Sequence, residues 1–167
     1  MRCSRHQVLK ESLSEVRQQI ILVCPWLSWR VFNNYDIYRE FRQLLEQGVR
    51  IEVNYGYTEE VNRIRYAGRR VNRWTLLETV GNEDWKYDAL RELTNLEQQF
   101  GQLLRLKLVS THEKFLVQDE RMAMIGSHNF LTSGPSDKRD FGIKTTDRNL
   151  IHFLINNAHS AQNLELD

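Results

Sequence analysis

The sequence predicts an α/β fold in which a mixed β-sheet is flanked by helices, and three observations carry that expectation. A continuous apolar run, IILVCPW, follows a helix-like segment and suits a strand buried on both faces. IYREFRQLLEQG and VRIEVNYG then read as a helix and a strand, completing a β-α-β unit. Beyond Gly101, LLRLKLVS, HEKFLVQ and RMAMIGSHN read as three short strands. Strands and helices mixed in this order indicate one layered α/β domain.

The elements follow in chain order. QVLKESLSEVRQQ has apolar residues at helical intervals and leads into IILVCPW, which Pro25 bounds. IYREFRQLLEQG carries Ile37, Phe41, Leu44 and Leu45 on one face and stops at Gly48, where a helix C-cap glycine belongs. VRIEVNYG alternates as a strand does. Residues 59 to 79 and 83 to 100 predict two further helices separated by Val80-Gly81-Asn82. The last strand is DFGIKTT, and DRNLIHFLINNAHSAQ closes the chain as a helix with Asp147 at its N-cap. The chain has no internal repeat, linker or low-complexity tract.

Composition narrows the function classes. The 167 residues are 41% apolar and 27% charged, enough for one domain over 1–167 with a real core and a solvated surface. The 23 basic and 22 acidic side chains nearly cancel, so only local clusters can argue for a polyanionic partner. Cys3 and Cys24 suit reduced thiols better than a disulfide framework. No apolar segment approaches the roughly 20 residues of a membrane span, and MRCSRHQVLKES is too polar for a secretory segment. The expectation is a cytoplasmic chain without a membrane partner. Cysteine, histidine and carboxylate residues are nowhere at metal-site spacing, so neither a metal nor another cofactor is expected.

The chemistry lies in THEKFLVQDERMAMIGSHNF, residues 111 to 130. On strands, side chains alternate faces, so His112 and Lys114 share one side, as do Ser127 and Asn129. Phe115, Val117, Met122 and Met124 are left to the core. Lysine supplies a compact positive charge, the hydroxyl and amide supply neutral hydrogen bonds, and imidazole can attack phosphorus or carry a proton. Together they make a phosphate pocket. His128, between Ser127 and Asn129, turns to the opposite face and reads as a packed or solvated histidine, as do His6, His152 and His159.

The spacing His112-x-Lys114-x4-Asp119-x6-Gly126-Ser127-x-Asn129 resembles the HKD motif of the phospholipase D superfamily, matching six fixed residue types over eighteen positions. The resemblance covers about the last third of the chain. It implies a phospholipase D-like fold and a phosphohistidine formed on His112, with Lys114 and Asn129 holding the phosphoryl oxygens and Ser127 as a supporting contact. The family orients its histidine with a downstream carboxylate, often glutamate, for which Asp140 is the match here. Asp119 is expected to serve as a structural hydrogen-bond partner. A complete motif can also persist in a silent domain.

Attack by one histidine requires a second group to protonate the departing oxygen. The family uses a second HKD histidine, and this chain holds no second His-x-Lys. Members with one motif pair two copies, so the resemblance implies a homodimer with the site at its interface. The alternative is one half of a longer protein whose other half carries the partner motif. The implied reaction needs no metal ion, because Lys114 and Asn129 from both subunits stabilise the charge on phosphorus.

Substrate choice rests on residues 62 to 74, which hold Arg63, Arg65, Arg69, Arg70 and Arg73 and no acid. As one amphipathic helix, Ile64, Val71 and Trp74 gather on one side and the arginines spread over the other. Such a face is either solvated surface or a nucleic-acid contact, and arginine's planar fork favours phosphates. Trp26 and Trp29, just past the first strand, are candidate stacking platforms near the site, though such aromatics more often pack against the core. The sequence reading is therefore a metal-independent phosphodiesterase, a nuclease acting on DNA or RNA. Its alternatives are a silent nucleic-acid-binding module working with a helicase-like ATPase and a phospholipase D-type lipid enzyme.

Overall fold

The computed structural model describes residues 5–127, 129–132 and 141–166. In chain order these form α1 (Arg5–Glu15), β1 (Gln19–Val23), α2 (Trp29–Asn34), α3 (Ile37–Glu46), β2 (Arg50–Tyr57), α4 (Thr58–Tyr66) and α5 (Arg73–Val80). There follow α6 (Leu90–Phe100), β3 (Leu104–Thr111), β4 (Phe115–Gln118), β5 (Met122–Gly126), β6 (Gly142–Thr145) and α7 (Arg148–Ser160). His128 and Asp140 lie outside the described residues.

β1 pairs in parallel with β2, and β2 with β3. On its other side β1 pairs antiparallel with β4, and β5 and β6 extend the antiparallel half. The order β3-β2-β1-β4-β5-β6 is the mixed sheet that the sequence predicts. It grows in both directions from β1, and in open α/β sheets such a switch point opens a crevice outside the carboxyl ends of the strands.

Burial on both faces explains the unbroken apolar sequence of β1. Ile20 and Leu22 enter a core shared with Leu9, Phe41, Leu45 and Leu93. Ile21 and Val23 enter a second core under α7, with Ile151, Leu154 and Ile155. Successive strand residues face opposite ways, so a strand covered on both sides must be apolar throughout. Phe115 and Val117 pack under α7 and Met122 and Met124 in the larger core, so the four core residues expected from the motif serve opposite faces. Asp147 caps α7, its Oδ1 accepting from the Leu150 N–H at 2.8 Å. At the other end of α7 the Ala158 carbonyl accepts from Lys107 Nζ at 2.6 Å and Asn54 Nδ2 at 3.0 Å, a cation where the helix dipole favours one.

The single helix expected over 59 to 79 does not form. Gly68 takes φ +68°, and the Gly68 and Arg69 N–H groups bond the Arg65 and Ile64 carbonyls, the paired closure of a Schellman turn. A new helix starts at Asn72, whose Oδ1 accepts from the Trp74 and Thr75 N–H groups while Thr75 Oγ1 accepts from Asn72 N. Glycine followed by a capping box therefore outweighs the helical periodicity. The helix expected over 83 to 100 also begins late, at Leu90, because Gly81–Lys86 forms a 3-10 turn. The short helix α2 carries too few residues to announce itself by periodicity.

Asp119 has the structural role expected of it. Its Oδ1 accepts from the backbone N–H groups of Gln18 and Gln19, at 2.7 and 2.9 Å, and its Oδ2 from that of Arg17 at 2.8 Å. The motif aspartate thus ties the turn between β4 and β5 to the entrance of β1. Three donors lose a charged acceptor in Asp119→Ala, so urea unfolding is expected to show a loss of about 2–3 kcal/mol, partly recovered in Asp119→Asn. An unchanged midpoint would remove Asp119 from the frame.

Candidate active site

The carboxyl ends of β1, β2 and β3, the start of β4 and the end of β5 lie on one edge of the sheet. The register fixes this, since Thr111 pairs with Tyr57, Val23 with Phe115, and Phe115 with Ile125. β3 and β4 are consecutive in sequence but separated in the sheet by β2 and β1. His112, Glu113 and Lys114 make that crossing in a loop, not at the start of the strand that HEKFLVQ suggested. Three strand spacings are about 14 Å, so the loop must be nearly extended.

An extended chain alternates its side chains, so His-x-Lys still sends both functional groups to one side although no strand forms. Glu113 goes to α7, where its Oε1 accepts from Asn157 Nδ2 at 2.8 Å. The His112 ring stands edge-on to Tyr57 at the end of β2, with centroids 4.8 Å apart. Lys114 reaches the end of β1, and its Nζ donates to the His112 carbonyl at 3.3 Å. Beneath it, burial pushes the Cys24 thiol up to about 12 against the opposing pull of the Lys114 charge, which leaves Cys24 an unreactive core thiol. A cleft of about 350 Å³ opens here, lined by Asn54, Thr58, His112, Glu113 and Asn157 among others.

The second half of the motif is bound to the first. Gly126 N–H donates to the Lys114 carbonyl at 3.3 Å. A Cβ on Gly126 would meet the Phe141 carbonyl oxygen at 2.1 Å, so only glycine lets the β6 backbone approach. Ser127 latches that approach: its N–H bonds the Phe141 carbonyl at 2.8 Å, and its Oγ accepts from Phe141 N at 2.9 Å. Ser127 thereby anchors the residue that follows Asp140. Asn129 Oδ1 is buried without a hydrogen-bond partner among the described residues.

Sequence reasoning missed the support beneath Tyr57. Glu60 on α4 is 1% exposed and accepts from Trp26 Nε1 at 3.2 Å, from Lys86 Nζ at 2.9 Å and from the Tyr87 hydroxyl. The Tyr87 oxygen in turn accepts the Tyr57 N–H at 3.0 Å. Burial and the Glu60 charge hold the Tyr87 hydroxyl far above the ordinary tyrosine range, so it stays a donor. Burial disfavours the Lys86 charge, but hydrogen bonds from Lys86 to Glu83 and Glu60 outweigh it and raise its pKa. Trp26 and Trp29 both pack against the larger core, as the sequence reading allowed, Trp26 with its ring against Tyr57 and Trp29 against Tyr38. An acid on a helical face otherwise facing the core was the available signal for Glu60.

The five arginines do not share one face. Arg63 and Arg65 are exposed on α4. Arg69 pairs with Glu78, and Arg70 Nη2 donates to the Glu165 carbonyl at 3.3 Å. Arg73 is buried, with Nε and Nη2 on the Glu165 carboxylate at 2.9 and 2.6 Å and Nη1 on Thr94 and Glu97 at 2.8 and 3.3 Å.

Comparison with known proteins agrees with this geometry. The family model described as "Cardiolipin synthase, PLD-like domain" matches residues 9–161. Nuc from Salmonella typhimurium, a phospholipase D family member, superposes with a TM-score of 0.54 at 11% identity, covering 92% of this chain and 84% of that one. Phosphatidylserine synthase from Haemophilus influenzae gives 0.60 at 17% identity, covering 94% of this chain but 35% of that chain. TrmBL2, an archaeal chromatin protein with a novel mode of DNA binding, gives 0.54 at 11% identity over 94% of this chain and 47% of that one. At such identities the likeness is one of fold. A search of curated proteins finds no match to the sequence.

Proposed function

The chain belongs to the phospholipase D superfamily, and from that premise we propose that it is a phosphodiesterase acting on nucleic acid through a phosphohistidine on His112. The observation that supports this reading is the joining of the two halves of the motif: His112 and Lys114 cross the ends of β2 and β1, and the Gly126 N–H binds the Lys114 carbonyl. A nitrogen of His112 attacks phosphorus, and the bond from phosphorus to the leaving oxygen breaks as a second imidazole delivers a proton to that oxygen. Water, deprotonated by the same second imidazole, then breaks the phosphorus–nitrogen bond and releases the phosphate. Lys114 and Asn129 oppose charge on the non-bridging oxygens, and Asp140 orients His112.

The second imidazole is His112 of a second copy. β6 is an edge strand, and with α7 it leaves Phe141, Ile143, Leu150 and Phe153 exposed in a surface that begins at the Ser127 latch. A two-fold contact there faces like residues toward each other, as the reaction requires. Wild-type subunits mixed with excess His112→Ala subunits are therefore expected to lose activity per wild-type chain as heterodimers form. Constant activity, with subunit exchange verified, would leave His112 working alone.

The exposed Arg63 and Arg65, and Tyr57 beside His112 with Trp26 against it, favour nucleic acid. The likeness to phosphatidylserine synthase supports a second reading, a lipid phosphodiester. Turnover of bis(p-nitrophenyl) phosphate tests the reaction class, and comparing DNA, RNA and phosphatidylglycerol vesicles tests the substrate. Failure to turn over any of them returns the chain to the silent binding module.

A further inference from the structure

A row of aromatic rings runs outward from the nucleophile. Tyr57 stands 4.8 Å from His112, Trp26 stands 4.9 Å from Tyr57, and Trp85 stands 6.2 Å from Trp26, all between ring centroids. Trp85 ends the row at the surface, 41% exposed. Lys86 Nζ lies 5.6 Å from the Trp26 ring and 5.9 Å from the Trp85 ring, within cation–π range of both.

We propose that Trp85, Trp26 and Tyr57 are a base-stacking track that feeds unpaired nucleotides to His112, making single-stranded nucleic acid the preferred substrate. The inference rests on the phosphodiesterase reading above and names the substrate class of that site. Aromatic rings accept any base through its π-face, but a base in a duplex is already stacked on its neighbours and paired, so only an unstacked base reaches the row.

The track is held in place from below. Glu60 anchors Trp26 through Nε1 and Lys86 through Nζ, and through Tyr87 it fixes the Tyr57 backbone. Trp26 also packs against the larger core, and Glu60 adds to that packing a polar anchor for Trp26, for Lys86 and, through Tyr87, for the backbone of the ring beside His112. Rings fixed before binding lose little rotamer freedom when a base stacks on them, which is the advantage of supporting a site from a second layer. The Lys86 charge is already met by Glu60 and Glu83, so Lys86 serves the rings more than the phosphates. Arg63 and Arg65, exposed on α4 and without an acid partner among the ion pairs of the described residues, are cations available to the backbone of the strand.

Binding of a labelled oligonucleotide, followed by anisotropy, tests the track without relying on turnover. The wild type is expected to bind a single strand at least about tenfold more tightly than the same sequence as a duplex. An abasic single strand is expected to show a similar deficit. Trp85→Ala is expected to weaken binding of the normal strand by about tenfold while barely changing that of the abasic strand, and Trp85→Phe is expected to recover most of the loss. Equal losses on both strands, or equal affinity for duplex and single strand, would overturn the proposal. So would tighter binding to phosphatidylglycerol vesicles that Trp85→Ala removes, since the row would then be a lipid contact. Hydrolysis of bis(p-nitrophenyl) phosphate, assayed alongside, reports separately on the reaction itself.

Discussion

His112→Ala is expected to lower phosphodiester turnover by about 10³-fold or more while leaving the thermal midpoint unchanged, because the substitution removes the proposed nucleophile and no packing. His112 is exposed, in the loop that crosses the carboxyl ends of β2 and β1, and among the described residues its ring contact is Tyr57. Truncation there opens no cavity in either core. Lys114→Ala is expected to give a comparable loss, because in the proposed reaction its cation opposes the charge on the phosphoryl oxygens, and here too the fold is retained. EDTA is expected to leave the wild type active. Loss on chelation, with recovery on adding a divalent ion, would exclude a mechanism in which imidazole and ammonium do this work. Folded His112→Ala protein that still turns over at the wild-type rate would remove the histidine from the reaction.

The largest effect on stability is expected at Arg73. Its guanidinium is buried, forked onto Glu165 near the end of the chain, and bonded to Thr94 and Glu97 on α6. One side chain thus ties α5 to α6 and to the C-terminal turn. Arg73→Ala leaves the half-buried carboxylates of Glu165 and Glu97 without their cation, which costs about 3 kcal/mol and lowers the thermal midpoint by about 10 °C in a chain of this size. The acid limb carries the same signature. Burial raises the Glu165 pKa, but the Arg73 hydrogen bonds outweigh it and leave the carboxyl below the ordinary glutamate range. A depressed folded-state value stabilises above the unfolded value and is lost as pH falls through the folded one. Stability is therefore expected to decline in acid, and Glu165→Gln to flatten that decline. An unchanged midpoint in Arg73→Ala, with weaker nucleic-acid binding and a shallower salt dependence, would put Arg73 on the substrate face instead.

The arginine segment marks where reading by period fails. Periodicity measures which residues share a side if a helix continues, and it is blind to whether the helix continues. Gly68 and the Asn72 capping box were both legible, and together they cost the helix less than holding a glycine and an asparagine inside it. The inward turn of Arg73 was not legible, because its partners Glu97 and Glu165 are remote in sequence and nothing local marks them. The Glu60 support is similar: an acid on an apolar face signals a buried partner without identifying Lys86, Tyr87 or Trp26.

By itself the sequence determined the mixed α/β architecture, the core stripe of α3, the Asp147 cap and the motif that resembles the superfamily's, because each is written in local period, cap chemistry or fixed spacing. Only the tertiary structure decided that β3 and β4 stand apart across β2 and β1, so that His-x-Lys is an extended bridge over the sheet's edge and brings His112 to Tyr57. It also decided that Gly126 and Ser127 hold the approach of β6 and that a buried glutamate fixes Trp26 and, through Tyr87, the Tyr57 backbone. Those features depend on strand order and on burial, which pair residues far apart in the chain, and no local pattern encodes which distant partner a strand or a charge will meet.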